Sequence, residues 1–205
     1  VIHAGGQREI IIVRTGTANT ASVVAAAERL GLAPRLTIDA VEVRDARLAI
    51  LPGVGAFGAA MQAIREAGLE NTLRERLLAG RPTLCICLGL QVLCEASDET
   101  PGVRGLGVIS TTIGRFPDDV RVPQLGWNEV TPDAGCRLLT RGFAYYANSY
   151  RLAEPPAGWH VARTTHGSPF IAALERGHVL ACQFHPELSG PWGLELIRRW
   201  MEAAE

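Results

Sequence analysis

Unbroken apolar runs separated by glycine-bearing turns set the pattern of the first half of this chain. Glu9 to Arg14 encloses three successive isoleucines and a valine, a run that predicts a strand buried on both faces. A Thr15-Gly16-Thr17-Ala18-Asn19 loop follows. A helix is then expected, capped by Asn19 or Thr20, with Val23, Val24, Ala27 and Leu30 on one face and Gly31 at its end. Arg35 to Ile38 and Leu48 to Leu51 predict two further strands, the second broken by Pro52-Gly53-Val54-Gly55-Ala56-Phe57-Gly58. Helical spacing returns over Met61 to Ala67, and again through Leu73, Leu77 and Leu78 to a stop at Gly80. A strand ending at Ile86, a helix over Gln91 to Ala96 and an acidic Ser97-Asp98-Glu99-Thr100-Pro101 loop complete this half.

Beyond Gly102 the alternation of strands with helices stops. Val108 to Ile113, Asn128 to Val130, Ala144 to Tyr150, His160 to Thr165 and Val179 to Phe184 read as strands, and Gly193 to about Ala203 as a closing amphipathic helix. The prediction is an α/β fold with a mixed, largely parallel open central sheet flanked by helices, its ligand site at the carboxyl ends of the strands. Val1 to Arg8 shows no periodicity and is expected to be an N-terminal extension, leaving residues 9–205 as one domain.

Composition narrows the function more than the fold. The 205 residues carry a formal net charge of −1, which offers no attraction to nucleic acid or a charged membrane, and no apolar run approaches the ~18 residues of a spanning helix. All the basic residues are arginines, so Schiff-base and phosphate-loop lysine chemistry are excluded. Cys85, Cys87, Cys94, Cys136 and Cys182 are sparse and odd in number, with no secretory segment ahead of them, which fits a reducing cytoplasm. Cys85 and Cys87 find no second pair at metal spacing, so neither metal nor other cofactor is expected.

The candidate chemistry starts at Thr83-Leu84-Cys85-Ile86-Cys87-Leu88-Gly89-Leu90-Gln91. A strand ending at Ile86 delivers Cys87 to the sheet edge, and a helix opening at Gly89 aims free N–H groups and a positive dipole at its sulfur. Both favour the thiolate, and the N–H of Leu88 can serve an oxyanion, as in a nucleophile elbow. A buried core cysteine fits the same residues until a base is found. His185-Pro186-Glu187 offers one. Proline biases His185 toward an extended backbone, residues two apart then share a side, and the Glu187 carboxylate can orient the imidazole. The glycines around Val54 let backbone N–H groups face an anion, although a plain strand-to-helix turn reads the same way.

Together, Cys87-Leu88-Gly89-Leu90-Gln91 and His185-Pro186-Glu187 resemble the triad glutamine amidotransferases. Arg121-Val122-Pro123-Gln124-Leu125-Gly126-Trp127-Asn128, Tyr145-Tyr146-Ala147-Asn148-Ser149-Tyr150 and Gln183 to Gly190 are similar to one branch of that family, the glutaminase subunits of imidazole glycerol phosphate synthase. The resemblance implies a Cys87, His185, Glu187 triad, with Val54 and Leu88 as the oxyanion hole and Gly55, Gln91, Glu99, Ser149 and Tyr150 holding glutamine. It also implies a (β/α)8-barrel cyclase partner in a heterodimer that uses the ammonia for histidine biosynthesis. Pro123, Trp127, Asn128, Tyr145 and Leu188 would face that partner. Leu188 stands where the family usually has lysine, Gln124 where it often has histidine, and Cys85 where it usually has glycine. The same triad would also suit another amidotransferase, and a binding subunit without catalysis is the remaining alternative.

Overall fold

The computed structural model describes residues 8–16 and 20–204. Of the expected extension only Arg8 is described, and Asn19, one of the two cap candidates, lies outside the described residues. The chain opens with β1 (Arg8–Val13), α1 (Thr20–Arg29) and β2 (Leu32–Thr37). β2 starts three residues before the expected Arg35, in full parallel register with β1 from Arg8↔Leu32 to Val13↔Thr37. As the sheet's edge strand it is half exposed, which weakens its apolar signal. The short helix α2 (Ala40–Asp45) was not expected from periodicity. Its start is fixed by Asp39, whose Oδ1 accepts from the N–H groups of Val41 at 2.8 Å and Glu42 at 3.0 Å.

Then come β3 (Ala49–Gly53), α3 (Phe57–Glu66), α4 (Glu70–Leu78), β4 (Thr83–Cys87) and α5 (Leu88–Gln91). The helix expected over Gln91 to Ala96 is not formed, because α5 stops at Gln91 and Cys94–Ser97 is strand β5. The cause is pairing with a distant segment. Leu106 donates to the Val92 carbonyl at 2.8 Å and Gly105 to that of Glu95 at 2.8 Å, so these groups serve a second sheet rather than a helix.

The remaining elements are β6 (Ile109–Arg115), β7 (Gln124–Pro132), β8 (Gly142–Asn148), β9 (Tyr150–Arg151), β10 (His160–His166), β11 (Ser168–Arg176), β12 (Val179–Cys182) and α6 (Gly190–Ala203). The nine-stranded sheet runs β2-β1-β3-β4-β12-β11-β10-β7-β8, parallel as far as β12 and antiparallel beyond it. β5, β6 and β9 form the small second sheet.

Alternation along β4 divides the core. Leu84 and Ile86 join the cluster under α1 and α6, with Val23, Leu196 and Trp200. Cys85 joins the opposite cluster, with Phe57, Leu73 and Leu77 of α3 and α4. β4 therefore needs apolar side chains on both faces, and its carboxyl end emerges at the middle of the molecule.

Candidate active site

Cys87 closes β4 with φ 55° and ψ −108°, and among the described residues it alone has a positive φ without being glycine. Such backbone costs about 1–3 kcal/mol and persists only where its surroundings impose it. Two glycines do so. A Cβ on Gly89 would lie 2.0 Å from the Leu51 carbonyl oxygen, and one on Gly53 would lie 2.9 Å from Leu88 Cβ. α5 is thereby pressed against the end of β3. Cys85 points to the other face, fully buried, and burial pushes its thiol far above the usual range.

His185 arrives from β12 and is held by backbone. Its N–H donates to the Tyr145 carbonyl of β8 at 2.9 Å. One hydroxyl completes the join, because Ser189 Oγ donates to the His185 carbonyl at 2.6 Å and accepts from the Tyr145 N–H at 3.0 Å. The segment after His185 is not extended as expected. Proline at the first position opens a 3-10 turn over Pro186–Leu188, and Glu187 meets the ring across that turn, with Nδ1···Oε1 at 2.8 Å.

Both side chains are buried, at 8% and 4% exposure. Burial lowers the His185 pKa, but hydrogen bonds with Cys87 and Glu187 outweigh it and hold the ring up at about 10. The histidine thus spans the sulfur and the carboxylate, and its cationic form is favoured at neutral pH.

Cys87 and His185 open on a cleft of about 240 Å³. Val54 and Leu88 line it beside the sulfur. Gly55, Gln91, Glu99, Ser149 and Tyr150 line the remainder, so the structure brings every expected triad-adjacent residue to one cavity. Its size is below the roughly 300–1,000 Å³ of drug-sized sites and suits a single amino acid. A second cavity of about 190 Å³ shares Val54, Ala147 and His185 with the first and adds Tyr145, Glu187 and Leu188.

Some side chains have duties the sequence did not announce. Glu99 Oε2 accepts from the Phe57 N–H at 2.7 Å, and Thr100 Oγ1 accepts from that of Gly58 at 3.2 Å. The acidic loop thus caps α3, whose own N-cap, Ala56, has no side chain to do it. Gln183, fully buried, places Nε2 3.7 Å from Cys87 Sγ. Its sequence signal is a lone carboxamide in the apolar Val179 to Phe184 run.

The expected partner residues divide. Trp127 and Tyr145 are register partners on one face of the β7–β8 pair, with ring centroids 6.2 Å apart. Trp127 is 54% exposed, and Leu125, Phe143 and Leu188 are exposed with it. Pro123 is exposed at the edge. Asn128 differs, because its carboxamide is spent on the Thr165 carbonyl of β10 at 2.6 Å. Among the described residues no three His, Cys, Asp or Glu side chains converge as a metal site requires, and no helix is long and apolar enough to cross a membrane.

A cysteine elbow served by a buried His-Glu pair at the carboxyl edge of a mixed sheet defines a class of protein, and comparison with known families names it. Residues 16–203 match the family model for class-I glutamine amidotransferase, and the chain belongs to that family. It is accordingly an enzyme of the glutamine amidotransferase class. Among solved structures, one titled as a glutamine amidotransferase superposes with a TM-score of 0.76 at 22% identity, covering 95% of this chain and 98% of that one. PurLQS from Thermotoga maritima gives 0.74 at 16% identity, over 97% and 100%.

The sequence relatives identify the branch. Imidazole glycerol phosphate synthase subunit HisH from Herpetosiphon aurantiacus is 38% identical over 95% of this chain and 94% of its own length. The HisH subunits of Methanothermobacter thermautotrophicus and Methanopyrus kandleri are 40% and 42% identical, over 94% and 92% of this chain and 98% and 95% of their own lengths. Within its class, the chain belongs with the HisH subunits.

Proposed function

We propose that this chain hydrolyses glutamine through Cys87, His185 and Glu187 and delivers the ammonia to a cyclase subunit that forms imidazole glycerol phosphate in histidine biosynthesis. The observation that carries this reading is the spatial one. A strained cysteine, a histidine held up at about 10 by that cysteine and a buried carboxylate, and a cleft of amino-acid size coincide at one strand end.

His185, favoured as the cation, holds the proton given up by the Cys87 thiol, and the thiolate attacks the side-chain amide carbon of glutamine. The N–H groups of Leu88 and Val54 receive the oxyanion, each such donor being worth about 2.7–4 kcal/mol of barrier. His185 returns the proton to the departing nitrogen, ammonia leaves, and a thioester remains. Water, deprotonated by the same ring, attacks the thioester and releases glutamate and the thiolate. Glu187 keeps Nδ1 as the donor and supports the ring's charge throughout. Gly55, Gln91, Glu99, Ser149 and Tyr150 hold the amino-acid end of the substrate, Glu99 with the oxygen not spent on α3.

The ammonia leaves by the second cavity, whose Tyr145 and Leu188 border the exposed Leu125, Trp127 and Phe143. This apolar face, with Pro123 at its edge, is where a (β/α)8-barrel cyclase docks, and the cytoplasm is where the pair works. The test is glutamate release by the wild type and Cys87→Ala, with and without a candidate cyclase and its nucleotide ligand. Release that needs Cys87 and rises with the cyclase supports the proposal. Glutamate release that survives in Cys87→Ala overturns the mechanism, and indifference to the cyclase overturns the partner.

A further inference from the structure

The sulfur of Cys87 has a second polar neighbour besides its histidine, and that neighbour belongs to no part of the proposed triad or oxyanion hole. Gln183 follows β12, where its backbone N–H donates to the Ala172 carbonyl at 2.8 Å and its side chain is fully buried. A carboxamide buried between Cys182 and Phe184 is costly unless both ends are bonded. Both are. Oε1 accepts from Gln91 Nε2 at 3.0 Å, and Nε2 faces Cys87 Sγ at 3.7 Å.

The direction of this carboxamide follows from its neighbours. The oxygen and nitrogen of a glutamine side chain are interchangeable by shape, so the network must decide which end faces the sulfur. The Tyr150 carbonyl can only accept, and Gln91 meets it at 3.2 Å, so Gln91 must present its NH₂ there. That same NH₂ reaches Gln183, which must answer with oxygen. The Gln183 NH₂ is then left for the sulfur. Turned the other way, two NH₂ groups would confront each other and an oxygen lone pair would face the thiolate.

We infer that Gln183 is a further catalytic residue of this site, donating a carboxamide N–H to the Cys87 thiolate in an orientation imposed by Gln91. The inference rests on the proposed role of Cys87 as nucleophile. A thiolate accepts such a bond far better than a thiol, so the donor favours the state that attacks. His185 must give its proton away and take it back during the reaction. Gln183 does not titrate, and its donor stays on the sulfur throughout. Gln91 gains a second duty beside its place on the cleft wall, as the positioning residue for Gln183.

The test is the pH profile of Cys87 alkylation by iodoacetamide on the full chain, followed by peptide mass spectrometry to separate Cys87 from the other four cysteines. In this reaction the thiolate forms an S–C bond at the reagent's methylene carbon, iodide leaves, and the thiol proton resides on His185. Gln183→Met keeps the side chain's length and removes the donor. Its profile is expected to move up by about one pH unit, a roughly tenfold slower reaction on the rising limb, the low end for a bond to a charged group. Gln91→Met leaves Gln183 in place and removes what orients it, so a smaller shift in the same direction is expected. Thermal melting of both variants identifies any that do not fold, and Gln91→Met decides alone if Gln183→Met is one of them. Unchanged profiles in the folded variants overturn the inference. Iodoacetamide makes no use of glutamine hydrolysis, so a chain that alkylates as expected yet releases no glutamate would overturn the proposed reaction and leave this donor standing.

Discussion

Replacing Cys87 by glycine or by alanine should reverse the usual ranking of those two residues. In most backbone, alanine is more stable than glycine by roughly 0.5–1 kcal/mol because glycine loses more freedom on folding. At φ 55° and ψ −108° the alanine keeps the strain that any Cβ suffers, about 1–3 kcal/mol, and glycine does not. Both variants lose the same buried sulfur, so that term cancels between them. The difference is then strain relief less glycine's entropy, about 0–2.5 kcal/mol, and Cys87→Gly should exceed Cys87→Ala by an amount centred near ~1 kcal/mol. For a chain of this length each kcal/mol moves Tm by about 2–4 °C. Calorimetry or urea titration of the two variants, side by side, measures it. An alanine variant more stable than the glycine variant would refute the claim that the elbow is strained.

Gly89→Ala should disrupt the elbow, because its Cβ falls 2.0 Å from the Leu51 carbonyl oxygen. Overpacking costs about 1–3 kcal/mol or more, and the expected readouts are a lower Tm and a fall in glutamate release of at least tenfold. Glu187→Gln replaces the charged acceptor at His185 Nδ1 by a neutral one. NMR titration should place the wild-type ring near 10 and the variant lower, because losing an anionic neighbour disfavours the cation, and kcat should drop with the fold intact. An unmoved titration would take Glu187 out of the pair. Ser189→Ala removes a buried hydroxyl that both donates and accepts. It should cost about 1–3 kcal/mol in urea unfolding, and wild-type stability would show that the join is slack.

Much of this molecule was legible in the sequence because parallel strands buried on two faces write themselves as continuous apolar runs. β1, β3, β4 and β12 were found that way, and Cys87 and His185 sit at the ends of two such runs. Elements held by other means were harder to read. α2 depends on one Asp39 cap rather than on periodicity, and β2, on the sheet edge, buries too little to announce its start. The stretch after Gln91 looked helical by spacing, yet its backbone pairs with residues 105 to 109, a partnership that local reading cannot see. The His185 to Glu187 contact was expected from an extended segment, and a 3-10 turn makes it instead. Glu99 at the start of α3 and Gln183 at the sulfur are both side chains meeting partners across at least forty residues, which leave no mark on spacing.

Ser189 carries a lesson for anyone who wishes to redesign this protein. One hydroxyl fastens the strand bearing Tyr145 to the turn bearing His185, so the exposed face and the imidazole beside the sulfur stand on two joined stretches of backbone. The two cannot be tuned as separate modules. Side chains on that face, such as Phe143, are open to exchange for solubility or for a new partner, since they project away from the join. Insertions, bulges or register changes in β8 are not, because each would drag the imidazole off the sulfur. A designer who grafts a foreign docking loop there would shift His185 without touching it.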